Sequence, residues 1–264
     1  MSAFYRSYEK IPQAVGQIEE LPIFKIPWGH NVILIEKVKD TEARLWYAIK
    51  TIENGWSRNA LSDWIASDLY KRQGKAINNF AVHLPEHQSR LAQETLKDPY
   101  CFDFLTLAEE HLEQELEQGL IDHIQKTLIE LGQGFAFVGR QVLIEVGDSD
   151  FYIDLLFYHL KLRCYVVVEL KNTAFKPEYA GKLNFYLTAV DKTMRHPEDR
   201  QTIGMLLCKT KNNLVVEYAL SDINKPIGVA GYEIKLMKSL PKEFKGSLPT
   251  VQEIEAELEK EKTE

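Results

Sequence analysis

The sequence has few cysteines and no long apolar segment. Its 264 residues include three cysteines, Cys101, Cys164 and Cys208, which lie far apart and form no Cys-x-x-Cys pair. This spacing indicates neither a disulfide framework nor a zinc site, so we expect buried apolar cysteines. No apolar run reaches the ~18 residues of a membrane helix, and the N-terminus lacks the apolar core of a signal peptide. We therefore expect a cytoplasmic protein without a membrane segment.

Basic residues are fewer than acidic residues. The chain carries 32 Lys and Arg against 39 Asp and Glu, which gives a formal net charge of −7. This balance argues against a protein that coats nucleic acid by bulk attraction, but it allows a local basic groove. Residues 161–200 contain eight basic and five acidic residues, so the local balance there is reversed. A hydrophobic content of 45% is enough for the core of one large domain or two modest ones.

The N-terminal third predicts a small all-helical domain. Residues 1 to about 28 are interrupted by prolines and indicate an extended lead-in. Apolar spacing then predicts helices over 31–38, over 42–53 with Asp40 or Thr41 as N-cap, and from the N-cap Ser57 to about residue 70.

Helices joined by a short turn with a glycine have the layout of a helix-turn-helix. In that case Arg58, Asn59, Lys71, Arg72 and Lys75 would contact nucleic acid. We favour the plainer interpretation, a packing module with its core filled by three tryptophans, Trp46, Trp56 and Trp64.

The rest of the chain predicts a mixed sheet in an α/β domain. Residues 74–100 resemble a linker, and we place a domain boundary near residue 105. An amphipathic pattern predicts one helix over 106–132. The pattern then predicts strands over 135–146, around residue 154 and over 164–170, a helix over about 177–191, a strand over 203–208, and a last strand or hairpin around 227–237. The expected domains are therefore 1–105 (helical, with linker), 106–245 (α/β) and 246–264 (acidic helix or tail).

Charged side chains interrupt the most apolar of these strands. The run from Cys164 to Leu170 is rich in β-branched residues, as in a strand buried on both faces. Because side chains alternate along a strand, Glu169 and Lys171 point to one face and Leu170 to the other. The preceding strand carries a single acid, Asp154. A lone Glu-x-Lys is usually a surface ion pair, but charges in a strand this apolar require either buried pairing or a function.

This constellation predicts a metal-dependent phosphodiesterase site. A divalent cation held by carboxylates activates a water and polarises the phosphoryl oxygen. Mg²⁺ prefers carboxylate and carbonyl oxygens, so Asp154, Glu169 and the carbonyl of Leu170 are the expected ligands. Lys171 would orient the attacking water, stabilise the transition state or act as the base, and the sequence leaves these roles open.

Longer segments carry a family resemblance. The strings GFAFVGRQ (134–141), DLLFYH (154–159), VVELK (167–171) and FKPEYAGKLNFYL (175–187) are similar to the YhcG family of bacterial nucleases, in the PD-(D/E)xK superfamily. So are IPWGHN (26–31), LWYA (45–48), ENGWSRN (53–59) and LKDPYCFDFL (96–105). The resemblance implies a restriction-endonuclease-like core behind a shortened helical domain, and DNA cleavage that depends on Mg²⁺ or Mn²⁺.

The resemblance also implies further site residues. An acid of the first core helix often completes the metal shell in this superfamily, and Glu117 is our first candidate and Glu113 the second. Arg140 and Gln141 would bind the phosphate backbone. Some superfamily nucleases carry Gln-x-x-x-Tyr on the next helix, where this chain has Lys182 and Tyr186; Lys182 would contact a phosphate and Tyr186 would hold the site.

Two functions stay open from the sequence. The first is a Mg²⁺-dependent nuclease acting on DNA, and the second is a catalytically silent module that binds nucleic acid or protein on the same fold. The acidic balance favours the module, and the intact Asp154, Glu169 and Lys171 favour the enzyme. The sequence leaves open DNA against RNA, endonuclease against exonuclease, and whether the chain forms a homodimer.

Overall fold

The structure, a computed structural model, describes residues 21–107 and 111–236. Most of the predicted lead-in and the whole predicted acidic tail lie outside these residues. In the described part of the chain, seven strands form one sheet. The strands are β1 (Ile77–Asn78), β2 (Tyr100–Leu107), β3 (Phe135–Val146), β4 (Ser149–His159), β5 (Cys164–Ala174), β6 (Ile203–Thr210) and β7 (Ile227–Leu236).

Helices precede the sheet and cover its two faces. The N-terminal helices are α1 (Pro22–Lys25), α2 (Trp28–Lys37), α3 (Thr41–Asn54), α4 (Arg58–Ala66), α5 (Leu69–Arg72), α6 (Phe80–His83) and α7 (Glu86–Thr95). The later helices are α8 (Glu113–Asp122), α9 (Ile124–Leu131), α10 (Pro177–Thr193) and α11 (Asn213–Ser221). None of the helices in the described residues is long and apolar enough to cross a membrane.

The predicted N-terminal helices form with the predicted caps. Asp40 caps α3 by accepting hydrogen bonds from the backbone N–H groups of Glu42 and Ala43, both at 3.3 Å. Ser57 caps α4 through the N–H of Ala60. The third predicted helix is interrupted before residue 70, because Asp68 adopts a left-handed φ of 54°. The short helix α1 lies where we expected an extended lead-in, so that prediction is wrong for residues 22–25.

We expect the N-cap substitution Asp40→Ala to lower the free energy of unfolding by about 1 kcal/mol, because two backbone N–H groups of α3 lose their acceptor. Chemical denaturation measures the change. Asp63→Ala is the control, since Asp63 is an exposed residue inside α4. An equal loss in both variants would contradict the capping role.

The tryptophans pack as the plainer interpretation predicted. Trp64 is buried and Trp46 and Trp56 are partly buried against the same apolar cluster. The rings of Trp56 and Trp64 lie 5.8 Å apart. Arg72, a candidate nucleic-acid contact, is instead buried and forms an ion pair with Glu130 at 2.7 Å. That candidate is therefore wrong in this structure, because the guanidinium is enclosed by the protein.

The segment predicted as a linker belongs to the folded core. β1 pairs antiparallel with β7, and β2 pairs parallel with β7. Phe80, Leu96 and Phe102 are buried in the apolar cluster on one face of the sheet. The prediction of a linker over 74–100 is therefore wrong, and the predicted boundary near residue 105 would divide β2.

The prediction of one helix over 106–132 is wrong. β2 continues to Leu107, because pairing with β7 overrides the local helical pattern there. The helical part begins at Glu113 and is interrupted at His123, which has φ −114° and ψ 36° and separates α8 from α9.

The sheet confirms the predicted mixed α/β core. Its order is β1-β7-β6-β5-β4-β3, and β3, β4 and β5 are antiparallel whereas β5, β6 and β7 are parallel. The crossover helix α10 joins β5 to β6, since parallel neighbours need such a connection. α8 and α9 pack on one face, and α10 and α11 pack on the other. The sequence did not predict α11. Of the three free cysteines, Cys164 and Cys208 are buried and Cys101 is partly buried.

Candidate active site

The antiparallel pairing of β4 with β5 brings Asp154 to the Glu-x-Lys segment. Leu155 lies opposite Val168, so Asp154 is level with the next residues of β5. The Oδ2 atom of Asp154 accepts a hydrogen bond from the backbone N–H of Leu170 at 3.0 Å. Val168 and Leu170 point into the apolar cluster of one face, as the alternation predicted. The structure therefore brings together residues that lie 16 positions apart.

Glu169 is the most enclosed carboxylate of the site, with an exposed fraction of 1%. Its Oε2 atom lies 2.9 Å from Nζ of Lys182 and 3.9 Å from Nζ of Lys171. Its Oε1 atom has no hydrogen-bond partner within the described residues. A buried oxygen without a donor is costly, and this one therefore marks a place where the site could accept a cation.

Lys171 is held from several sides. Its Nζ donates to Oε2 of Glu113 at 2.9 Å and to the carbonyl of Leu170 at 2.6 Å. The same atom lies 5.6 Å from the ring centre of Tyr179. Glu113 opens α8, so its carboxylate also faces the positive end of that helix. Tyr179 was not predicted as a site residue; its place in the first turn of α10, shortly after Glu-x-Lys, was the available signal.

Glu117 lies one turn after Glu113 and is buried. Its two carboxylate oxygens accept hydrogen bonds from Nε of Arg140 and from Nε2 of Gln141, the latter at 2.6 Å. Gln141 reaches it from β3 with a left-handed φ of 45°. Arg140 and Gln141 therefore bind a carboxylate of their own chain in this structure. Their contact with a phosphate stays a prediction.

Lys182 and Tyr186 lie together on α10, as their spacing of four residues requires. The Nζ atom of Lys182 is 5.0 Å from the ring centre of Tyr186, which is buried. Tyr186 also packs against Phe151 of β4, with ring centres 6.5 Å apart. The ring thus lies beside the lysine that contacts Glu169, and the roles of Tyr186 in holding the site and of Lys182 toward a phosphate stay predictions.

The acids and lysines of the site influence each other's pKa. Burial raises the pKa of Asp154, and the N–H of Leu170 and the two lysines oppose that rise. Burial and the charge of Asp154 raise the pKa of Glu169 to about 7, against the lowering effect of Lys182 and Lys171. Burial would lower the pKa of Lys171, but Glu113, Asp154 and Glu169 raise it above its usual value. The two central acids thus repel each other and favour additional positive charge.

The donor set fits a hard divalent cation in part. Within residues 21–107 and 111–236, no group of three His, Cys, Asp or Glu side chains is arranged to hold a metal ion. Two carboxylates, Asp154 and Glu169, do come together beside Leu170, whose N–H donates to Asp154 and whose carbonyl accepts from Nζ of Lys171. Mg²⁺ is commonly held by one or two carboxylates and keeps several waters, so these groups suit it. Glu117 lies near enough to raise the pKa of Asp154, but its oxygens already have partners.

A mixed sheet that carries Asp154 on one strand and Glu169-x-Lys171 on the next defines a fold of the PD-(D/E)xK type. Residues 93–249 match the family model described as the YhcG PDDEXK nuclease domain, and the chain belongs to this family. Residues 1–72 match the model described as the DUF1016 N-terminal domain. The resemblance found in the sequence is therefore confirmed.

One curated relative is the Escherichia coli (strain K12) protein named "Putative nuclease YhcG". It is 34% identical over 216 residues, which cover 81% of this chain and 57% of the relative. The chain thus spans less than two thirds of that protein's length.

Two solved structures show weaker similarity. A repair endonuclease from Pyrococcus abyssi has 14% identity and a TM-score of 0.31, over 48% of this chain and 49% of that one. The EndoMS-dsDNA2 complex has 15% identity and a TM-score of 0.31, over 49% of this chain and 46% of that one.

Proposed function

We propose that the chain is a metal-dependent nuclease that hydrolyses phosphodiester bonds in DNA. The observation that carries this proposal is the meeting of two acids, the partly buried Asp154 and the buried Glu169, beside the ammonium of Lys171. Nothing in the packing of the apolar core requires charges there, and each buried charge costs several kcal/mol unless it is compensated. A site that handles a charged substrate explains why this sheet contains them.

We propose a separate role in catalysis for each residue of the site. Asp154, Glu169 and the carbonyl of Leu170 would hold Mg²⁺ or Mn²⁺. When bound, such a cation lowers the pKa of a water and polarises the phosphoryl oxygen. Lys171, fixed by Glu113 and Leu170, would orient the attacking water or stabilise the charge that develops on the phosphate.

The remaining predicted residues would act around this centre. We propose Glu117 as a further metal ligand, and Arg140 and Gln141 as contacts to the phosphate backbone. Because these three residues are bound to one another in this structure, both roles require Arg140 and Gln141 to exchange Glu117 for the phosphate. Lys182 is proposed as a phosphate contact and Tyr186 as the residue that positions it.

Incubation of the purified chain with plasmid and linear DNA tests the proposal. We expect cleavage with Mg²⁺ or Mn²⁺ and none with EDTA, because the bound cation would lower the pKa of the attacking water and polarise the phosphoryl oxygen. Nicked or linear products from the plasmid would indicate an endonuclease, and shortening of linear DNA alone would indicate an exonuclease. A parallel assay with single-stranded RNA determines which nucleic acid is preferred.

A second function has support from one observation. Each acid of the site already has a cationic or hydrogen-bonding partner within the chain, so the charges can persist without catalysis. A silent module on the nuclease fold, which binds nucleic acid or protein, would show DNA binding without cleavage in either metal. A cytoplasmic location and a homodimer are further proposals, and light scattering during gel filtration would test the dimer.

A further inference from the structure

Glu169 has two lysines within ion-pair distance, and they differ in their exposure to solvent. Lys171, whose Nζ is 3.9 Å away, has a side chain that is 9% exposed and is also bound to Glu113. Lys182, whose Nζ is 2.9 Å away, has a side chain that is 44% exposed. Its ammonium is therefore the only one of the two with a short path to solvent, and its movement away from Glu169 would not disturb the apolar core.

The formal charges of the site depend on whether Lys182 is counted. Four carboxylates, Glu113, Glu117, Asp154 and Glu169, face three cations, Arg140, Lys171 and Lys182, which leaves a net charge of −1. Without Lys182 the net charge is −2. That value matches a divalent cation, and a positive group on Glu169 would otherwise repel the incoming ion.

We propose that Lys182 is an exchangeable counter-ion of the site: its ammonium stabilises the buried Glu169 while no metal is bound, and it leaves this carboxylate when a divalent cation binds. The inference rests on the proposed function, because it assumes that Asp154 and Glu169 are the metal ligands. An ammonium on Oε2 of Glu169 and a metal ion on its unpartnered Oε1 would share one carboxylate, so their positive charges would repel each other at short range. The flexible stem of Lys182 and its 44% exposed side chain allow the ammonium to move outward.

If Lys182 must leave Glu169, the free energy of metal binding is less favourable than it would be without this lysine. The difference appears in the metal affinity, which can be measured without a cleavage assay. We expect Lys182→Met to bind Mn²⁺ about tenfold more tightly than the original chain at the same ionic strength, because the competing charge is removed. Isothermal titration calorimetry gives the affinity. In EDTA we expect a lower Tm for Lys182→Met, because Glu169 loses its closest partner, and a larger rise of Tm on addition of Mn²⁺.

Two further variants keep the test decisive if Lys182→Met folds poorly. Lys182→Gln removes the charge but keeps a hydrogen-bond donor, and we expect it also to bind Mn²⁺ more tightly. Lys192→Met is the matched control, since Lys192 is exposed in the last turn of the same helix. We expect it to bind Mn²⁺ as the original chain does.

The outcomes separate this inference from the proposed function. If the chain binds Mn²⁺, Asp154→Asn abolishes the binding and the Lys182 variants bind with unchanged affinity, the metal site stands and the counter-ion role is wrong. If the Lys182 variants bind Mn²⁺ and the original chain does not bind it measurably, the counter-ion role of Lys182 is supported. If neither the chain nor any variant binds Mn²⁺, the metal site of the proposed function fails and the counter-ion role fails with it.

Discussion

Replacing Asp154 by asparagine is expected to lower the rate of DNA cleavage about a thousandfold without unfolding the protein. Asparagine has nearly the same shape, and its side-chain oxygen can still accept the hydrogen bond from the N–H of Leu170. It removes a negative charge that we propose to be a metal ligand. Because burial raises the pKa of Asp154, its ionised form adds little to folding stability, so we expect Tm to stay the same or to rise.

The measurement combines a time course of plasmid cleavage in Mg²⁺ with a thermal unfolding curve for each variant. Asp150→Asn provides the control, because Asp150 lies on the same strand but is exposed. We expect the control to cleave at the original rate. Cleavage by Asp154→Asn within a fewfold of the original rate would show that Asp154 is not a ligand, and equal losses in both variants would indicate an effect of charge in general.

Replacing Arg72 by methionine is expected to lower the free energy of unfolding by about 3–5 kcal/mol. The guanidinium donates to Oε1 of Glu130 at 2.7 Å and to the carbonyl of Pro99 at 2.8 Å. Its Nε donates to the carbonyl of Ser67 at 2.7 Å. Methionine fills part of the space but leaves Glu130 as a buried charge without its cation. Urea denaturation followed by circular dichroism measures the loss.

Lys71→Met is the matched control for Arg72, because Lys71 is the preceding residue and its side chain is 72% exposed. Its ion pair with Asp68 lies at the surface, and we expect a change of less than about 0.5 kcal/mol. Arg72→Met also tests the role of Arg72 in the helix-turn-helix hypothesis. If Arg72→Met kept its stability and lost affinity for DNA, Arg72 would be a phosphate contact and the buried ion pair would not form in solution.

The strands around the site could be predicted because their signal is local. Val166, Val167 and Val168 form an apolar run that favours a strand, and a period of two places Glu169 and Lys171 on the same face. The N-cap residues Asp40 and Ser57 likewise predicted where two helices begin. Such predictions succeed because each depends on residues within one turn or one strand.

The incorrect predictions of a helix at residues 106–107 and of a linker have a different cause, which is contact between residues far apart in the sequence. The last two residues of β2 were predicted as the start of a helix, but the pairing of β2 with β7 decides their conformation, and the two strands are separated by more than a hundred residues. The predicted linker becomes part of the core through the pairing of β1 with β7 and the burial of Phe80 and Leu96. The interruption at His123 coincides with two side-chain hydrogen bonds to carbonyls of α8, from the ring of His123 to Gly119 and from the hydroxyl of Thr127 to Leu120. Local propensity is too weak to predict these outcomes.

The sequence by itself determined the family and the mixed α/β core and made Asp154, Glu169 and Lys171 the candidate site residues, because motif and alternation are properties of neighbouring residues. The tertiary structure decided which partners these residues have. It placed Glu113 rather than Glu117 on Lys171, 58 positions away, and it set Lys182 against Glu169. Ion pairs form between charges that the packing of helices and strands brings within a few ångströms of each other. The distance between two charged side chains in the folded protein cannot be read from their separation along the sequence.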